Sequence, residues 1–127
     1  MNVDGFIPRG FQAMAISTIF ANLSCSDLAA SEAWFTRLFG KPPTRRPMAG
    51  LVEWQFTASA EVQLYESKEH AGHGTLTLGV MPLEAELARL AAAGIASGPI
   101  EEAKDFFIAR LRDPDGNLIV LASAERT

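Results

Sequence analysis

The chain is poor in the residues that staple, ligate or anchor. It has one cysteine, Cys25, two histidines, His70 and His73, and one tyrosine among 127 residues. A single cysteine excludes an intrachain disulfide framework and a paired-thiolate metal site, and it fits a reducing compartment. No stretch approaches the ~20 apolar residues that cross a bilayer, so no membrane partner is expected. Cations are also in the minority: 11 Lys and Arg against 15 Asp and Glu leave a formal charge of −4. That balance gives no general attraction to phosphate backbones, and nucleic acid is not an expected partner. The opening MNVDGFIPRGFQAMA carries an acid and a proline where a secretory signal has a basic end followed by an apolar block. Residues 1–14 read as an N-terminal arm or a short extra strand, and the cytoplasm is the expected location.

What is present describes a folded domain. The composition is 48% hydrophobic and 20% charged, which supports a packed core, and two independent domains of this total length would each be short of one. The densest basic spot, Arg45-Arg46, sits among Pro42, Pro43 and Pro47 and reads as a solvated loop in which a short strand could lie.

An internal duplication organises the rest. Ile16 to Cys25 reads as a strand. A helix then opens at Asp27, whose carboxylate can cap the first turn, and closes at Gly40; Leu28, Phe35, Leu38 and Phe39 recur at helical spacing. Leu51 to Thr57 and Glu61 to Glu66 follow as strands. The second half repeats the order. Thr75 to Val80 is a strand, and Pro82 occupies a first-turn position. Leu83, Leu87, Leu90 and Ala91 make one apolar face, and Gly94 ends the helix. Strands are then expected near Ile100, over Phe106 to Arg112 and over Leu118 to Ala122, the last two joined by the turn sequence Asp113-Pro114-Asp115-Gly116-Asn117. The fold class is therefore α+β: two tandem βαβββ modules, about 15–68 and 73–123, within one domain over 15–123. Together they form a half-open, barrel-like curved sheet with the helices outside and a cleft inside.

Strand alternation sorts the cleft residues. Ile19, Ala21, Leu23 and Cys25 form a bed for a helix and leave Phe20, Asn22 and Ser24 on the other face. Leu76, Leu78 and Val80 likewise leave Thr75, Thr77 and Gly79; Val62 and Leu64 oppose Glu61, Gln63 and Tyr65. The expected ligand-binding set is Phe20, Asn22, Trp54, Gln63, Tyr65, Thr75 and Val120. Trp54 and Phe56 line an apolar surface that the sequence does not assign to either side. Asn22, Thr75 and Thr77 also suit a merely wet sheet face, and Phe20, Trp54 and Val120 also suit a core.

The segment SDLAASEAWFTRLFG resembles the first strand-to-helix signature of the vicinal oxygen chelate superfamily, which includes glyoxalase I, extradiol dioxygenases and bleomycin-binding resistance proteins. RDPDGNLIVL resembles its last hairpin, and with LTLGVMPLEAELARLAAAG the likeness runs from about Ala15 to Ser123. The resemblance implies a divalent metal held on strands one, four, five and eight. The matching positions are Phe20, Gln63, Thr75 and Val120, none of them His, Glu or Asp. A two-residue slip brings Asn22 and Leu118 instead, and the histidines fall in the loop before strand five. The expectation is a metal-free protein with no cofactor that binds an aromatic or amphipathic small molecule. The alternative is a lyase or other enzyme of the superfamily, using a divergent metal site or non-metal acid/base residues such as Glu53, Glu61 or Tyr65. Uncovered sheet edges point to a homodimer.

Overall fold

The structure, a computed structural model, describes residues 8–127; the first half of the expected arm, residues 1–7, lies outside the described residues. The order of elements is β1 (Ile19–Cys25), α1 (Leu28–Phe39), β2 (Arg45–Met48), β3 (Leu51–Thr57), β4 (Ala60–Glu66), β5 (Thr75–Gly79), α2 (Leu83–Ala92), β6 (Glu101–Glu102), β7 (Phe107–Arg112) and β8 (Leu118–Ser123). Each half is βαβββ. The strands form two four-stranded sheets, ordered β1-β4-β3-β2 and β5-β8-β7-β6, with the first strand of each module parallel to the last and the other pairs antiparallel.

Local chemistry sets the helix ends. Asp27 accepts from the Ala30 amide at 3.2 Å, and Glu66 accepts from the Leu28 amide at 3.1 Å, so two carboxylates meet the positive end of α1. Gly40 closes α1 at φ 74°, the left-handed conformation that costs glycine least. Pro82 stands one residue earlier than expected, as the N-cap of α2 rather than inside its first turn. The last-turn arginines clamp the helices together: Arg37 donates to the Ala93 carbonyl at 3.1 Å and Arg89 to the Arg37 carbonyl at 3.1 Å.

One core serves both modules. Leu23, Phe35, Leu38, Val52, Trp54 and Leu64 from the first half are continuous with Leu76, Leu83, Leu90, Ile95, Ile119 and Leu121 from the second. Both helices cover this core, so the sheets turn their uncovered faces the other way. The expected strand from Ile16 begins only at Ile19, because its partner β4 starts at Ala60, opposite Ile19, and the residues upstream have no ladder to join.

Candidate functional site

The uncovered face of the first sheet carries a connected polar network. Asn22 donates to Gln63 at 3.2 Å, and Gln63 donates to Glu53 at 2.6 Å. Arg45 donates through Nη1 to Glu53 at 2.8 Å and to Glu61, and through Nη2 to Gln55 at 3.2 Å. Glu53 and Glu61 are only 5% and 7% exposed, so two buried carboxylates share one cation. Burial alone would raise the Glu53 carboxyl. The hydrogen bonds from Arg45 and Gln63, with the charge of Arg45, more than offset it and hold the group below its ordinary range; the hydrogen bonds to Glu53 and Glu61 in turn raise Arg45. These shifts keep the Glu53 carboxylate and the Arg45 guanidinium charged at neutral pH.

Arg45 is thus not a solvated loop residue. It lies in β2 opposite Glu53, in register to cover the acids. Arg46, one residue on, points the other way to Glu32 on α1 at 2.6 Å.

The expected site residues divide. Phe20, Asn22, Gln63 and Tyr65 share the uncovered face of the first sheet, and Thr75, Thr77 and Val120 that of the second. Within each sheet the positions matched to metal ligands are diagonal neighbours on paired strands: Phe20 lies beside Glu61 and Gln63 beside Asn22, while Val120 lies beside Thr77 and Thr75 beside Leu118. Trp54 belongs to neither face. It pairs with Val62 on the helix side, is 0% exposed, packs against Phe35 and Phe39, and donates from Nε1 to the Lys41 carbonyl at 2.9 Å. Its position in β3, even-numbered like Val52, fixes this side once β3 and β4 are aligned. Phe56 caps the same aromatic stack from its exposed end, 4.8 Å from Phe39 and under the Lys41 ammonium. His70 and His73 are exposed, and among the described residues no three His, Cys, Asp or Glu side chains converge on a point that could hold a metal ion.

The DPDGN turn does more than reverse the chain. Asp115 accepts from the Ser26 amide at 3.0 Å, from the Ser26 hydroxyl, and from Ser31 at 3.4 Å. Buried Asn117 donates to the Ser24 carbonyl at 2.9 Å and accepts from the Gly74 amide at 2.8 Å, while Asp113 holds its side chain at 2.7 Å. The last hairpin is therefore pinned to the first strand-to-helix turn. A separate cavity of about 520 Å³ opens where the β3–β4 hairpin faces the end of β5 and α2.

No family model matches the chain, and no curated protein matches it. Solved structures do. A glyoxalase/bleomycin resistance protein from Catenulispora acidiphila DSM 44928 is 31% identical, superposes with a TM-score of 0.77, and the match covers 84% of this chain and 96% of that one. TnmS3, an antibiotic binding protein from Streptomyces sp. CB03234, is 23% identical with a TM-score of 0.75 over 87% and 98% of the two chains. Lactoylglutathione lyase from Agrobacterium tumefaciens is 21% identical with a TM-score of 0.69 over 87% and 96%. Two βαβββ modules on one core, the pinned DPDGN turn and the 31% identity over most of both chains lead to one assignment: the chain belongs to the glyoxalase/bleomycin resistance protein family of the vicinal oxygen chelate superfamily.

Proposed function

We propose that this chain is a metal-independent small-molecule-binding protein that holds an aromatic or amphipathic ligand against the uncovered sheet faces. The observation that carries the reading is the donor chemistry there. Phe20 and Val120 have no donor atom, Thr75 and Thr77 offer only neutral hydroxyls, and the two acids, Glu53 and Glu61, are already engaged by Arg45. This set does not fit the divalent metal of the family's enzymes, which needs imidazole or free carboxylate ligands. What the face offers instead is apolar area from Phe20, Tyr65 and Val120 beside an amide pair, Asn22 and Gln63, that can orient polar groups. TnmS3 supplies a relative of the same fold that binds an antibiotic, which supports the binding reading.

Such a protein works as a homodimer in the cytoplasm, each copy covering apolar surface that the other leaves open; Ile19, Phe20, Met48 and Tyr65 are exposed large side chains on or beside the first sheet. The test is a thermal-shift and calorimetric screen of aromatic and amphipathic compounds with and without EDTA, followed by mass analysis of the recovered ligand. Saturable binding that EDTA leaves unchanged, with the ligand recovered intact, supports the reading. Binding or turnover that requires added metal overturns it.

A further inference from the structure

One row of side chains runs across the whole first sheet. Arg45 in β2 lies opposite Glu53 in β3, Glu53 opposite Gln63 in β4, and Gln63 opposite Asn22 in β1. The row takes one residue from each strand, from the edge strand β2 to β1, which adjoins β5 at the junction of the two modules. Each neighbouring pair is hydrogen bonded: Arg45 donates to one Glu53 oxygen at 2.8 Å, Gln63 to the other at 2.6 Å, and Asn22 to Gln63 at 3.2 Å. In the second sheet the row of Thr77, Val120 and Arg110 is broken at Val120, which has no polar side-chain atom.

The direction of these bonds is forced from the charged end. Burial would raise Glu53, but the bonds from Arg45 and Gln63 and the charge of Arg45 hold it ionised at neutral pH, and an ionised carboxylate only accepts. Gln63 must therefore turn its NH2 group to Glu53, which leaves its carbonyl oxygen for Asn22. Asn22 must in turn offer its NH2 group to Gln63, and its own Oδ1 is left over. Among the described residues no donor reaches that oxygen. Turning either amide over would set two acceptors against each other, so the order is fixed along the row. Phe20 and Tyr65 flank Asn22 and Gln63 on the same face, each two residues along its strand.

We propose that the row from Arg45 to Gln63 positions Asn22 as a hydrogen-bond acceptor in the ligand site, so that the protein selects aromatic molecules carrying a neutral hydroxyl or N–H donor. Arg45, Glu53 and Gln63 are positioning residues in this scheme, and Asn22 meets the ligand. The inference rests on the aromatic-ligand reading of the proposed function and names the group that ligand carries. A ring with only an acceptor at this place leaves Oδ1 unpaired once water is expelled, and that loss discriminates against it. The second N–H of Asn22 is open to either kind of ligand.

The test compares two uncharged probes, para-phenylphenol and its methyl ether, by calorimetric titration of the full-length parent, Asn22→Leu and Glu53→Gln, with circular dichroism to check each fold. The affinity ratio should favour the phenol at least about tenfold more in the parent than in Asn22→Leu, which lacks the acceptor; comparing ratios cancels the extra methyl group. Glu53→Gln keeps the shape of the side chain but reverses the row. Arg45 still holds the oxygen of the new amide, so the amide donates to Gln63, Gln63 donates to Asn22, and the Asn22 NH2 group faces the ligand. Its ratio should fall to that of Asn22→Leu while the methyl ether binds at least as tightly as to the parent. A merely structural Glu53 would instead weaken both probes alike. A parent that binds neither probe overturns the aromatic-ligand reading and the relay together. A parent whose ratio matches that of Asn22→Leu, or a Glu53→Gln protein that keeps the parent's ratio, overturns the relay alone.

Discussion

Arg45→Met isolates the electrostatics of the sheet face. The methionine keeps much of the aliphatic cover over Glu53 and Glu61 but removes the cation that both acids share. Two carboxylates accepting from one nitrogen stand ~5 Å apart, and at an effective dielectric of ~20 their mutual repulsion is ~3 kcal/mol once the guanidinium is gone. Arg45 is 39% exposed, so water replaces part of what it supplied. The loss at pH 7 should therefore fall at ~2–3 kcal/mol, below the full cost of stranding a buried charge. Urea denaturation from pH 8 to pH 4 is the assay. In the parent, Glu53 has a folded pKa below 4.5, so its contribution is present above that pH and is lost as the pH falls through the folded value. In the variant, burial without the cation raises Glu53 relative to the parent, so its folded state takes up that proton at higher pH and the variant gains stability relative to the parent as the pH drops. The gap should narrow steadily toward pH 4. A gap that stays constant across the range, or one under ~0.5 kcal/mol at pH 7, would refute the shared-cation argument.

Trp54→Ala should cost ~3–5 kcal/mol in urea unfolding, the usual loss for a fully buried indole, whereas Phe20→Ala should cost under ~1 kcal/mol and act on ligand affinity instead. The opposite ranking would move the cleft to the helix side. Asp115→Asn removes the charge that gathers Ser26 and Ser31; a loss of ~1–2 kcal/mol, read as a fall of a few degrees in calorimetric Tm, is expected, and an unchanged Tm would deny the pin its role. Cys25 is fully buried, and burial pushes its thiol up to about 11 despite a hydrogen bond with Ser31. It should resist a soluble disulfide reagent at pH 8 until urea unfolds the chain, and rapid labelling of native protein would contradict this.

Much of the scaffold is legible in the sequence because its signals are local. Asp27 and Gly40 bracket α1 by capping chemistry, period-two alternation assigns Asn22, Gln63 and Thr75 to an uncovered face, and the turn sequence marks the last hairpin. Register is not local. Nothing in β1 or β4 alone says that Phe20 lies beside Glu61 and Asn22 beside Gln63, because parallel partners are set by the packing of α1 between them. The side taken by Trp54 is hidden for the same reason. Its neighbours alternate Leu51, Glu53 and Gln55 against Val52 and Phe56, and only alignment with Val62 and Leu64 decides which set is covered.

The polar pairings are the least legible, since their meaning depends on contacts distant in the chain. Arg45 reads as solvated among prolines, yet it neutralises acids 8 and 16 residues away. Asp115 and Asn117 read as turn formers, yet they reach 89 and 93 residues back to Ser26 and Ser24. Turn chemistry and tertiary pinning call for the same residue types here, because a side chain that bonds its own backbone at a turn presents its remaining oxygen or amide outward. The duplication makes the difference measurable within one molecule. The β7–β8 turn carries Asp and Asn and closes its end of the junction, while the β3–β4 hairpin carries Ala58 and Ser59 and leaves its end open. The cavity beside the β3–β4 hairpin thus follows from the turn chemistry in which the two modules differ.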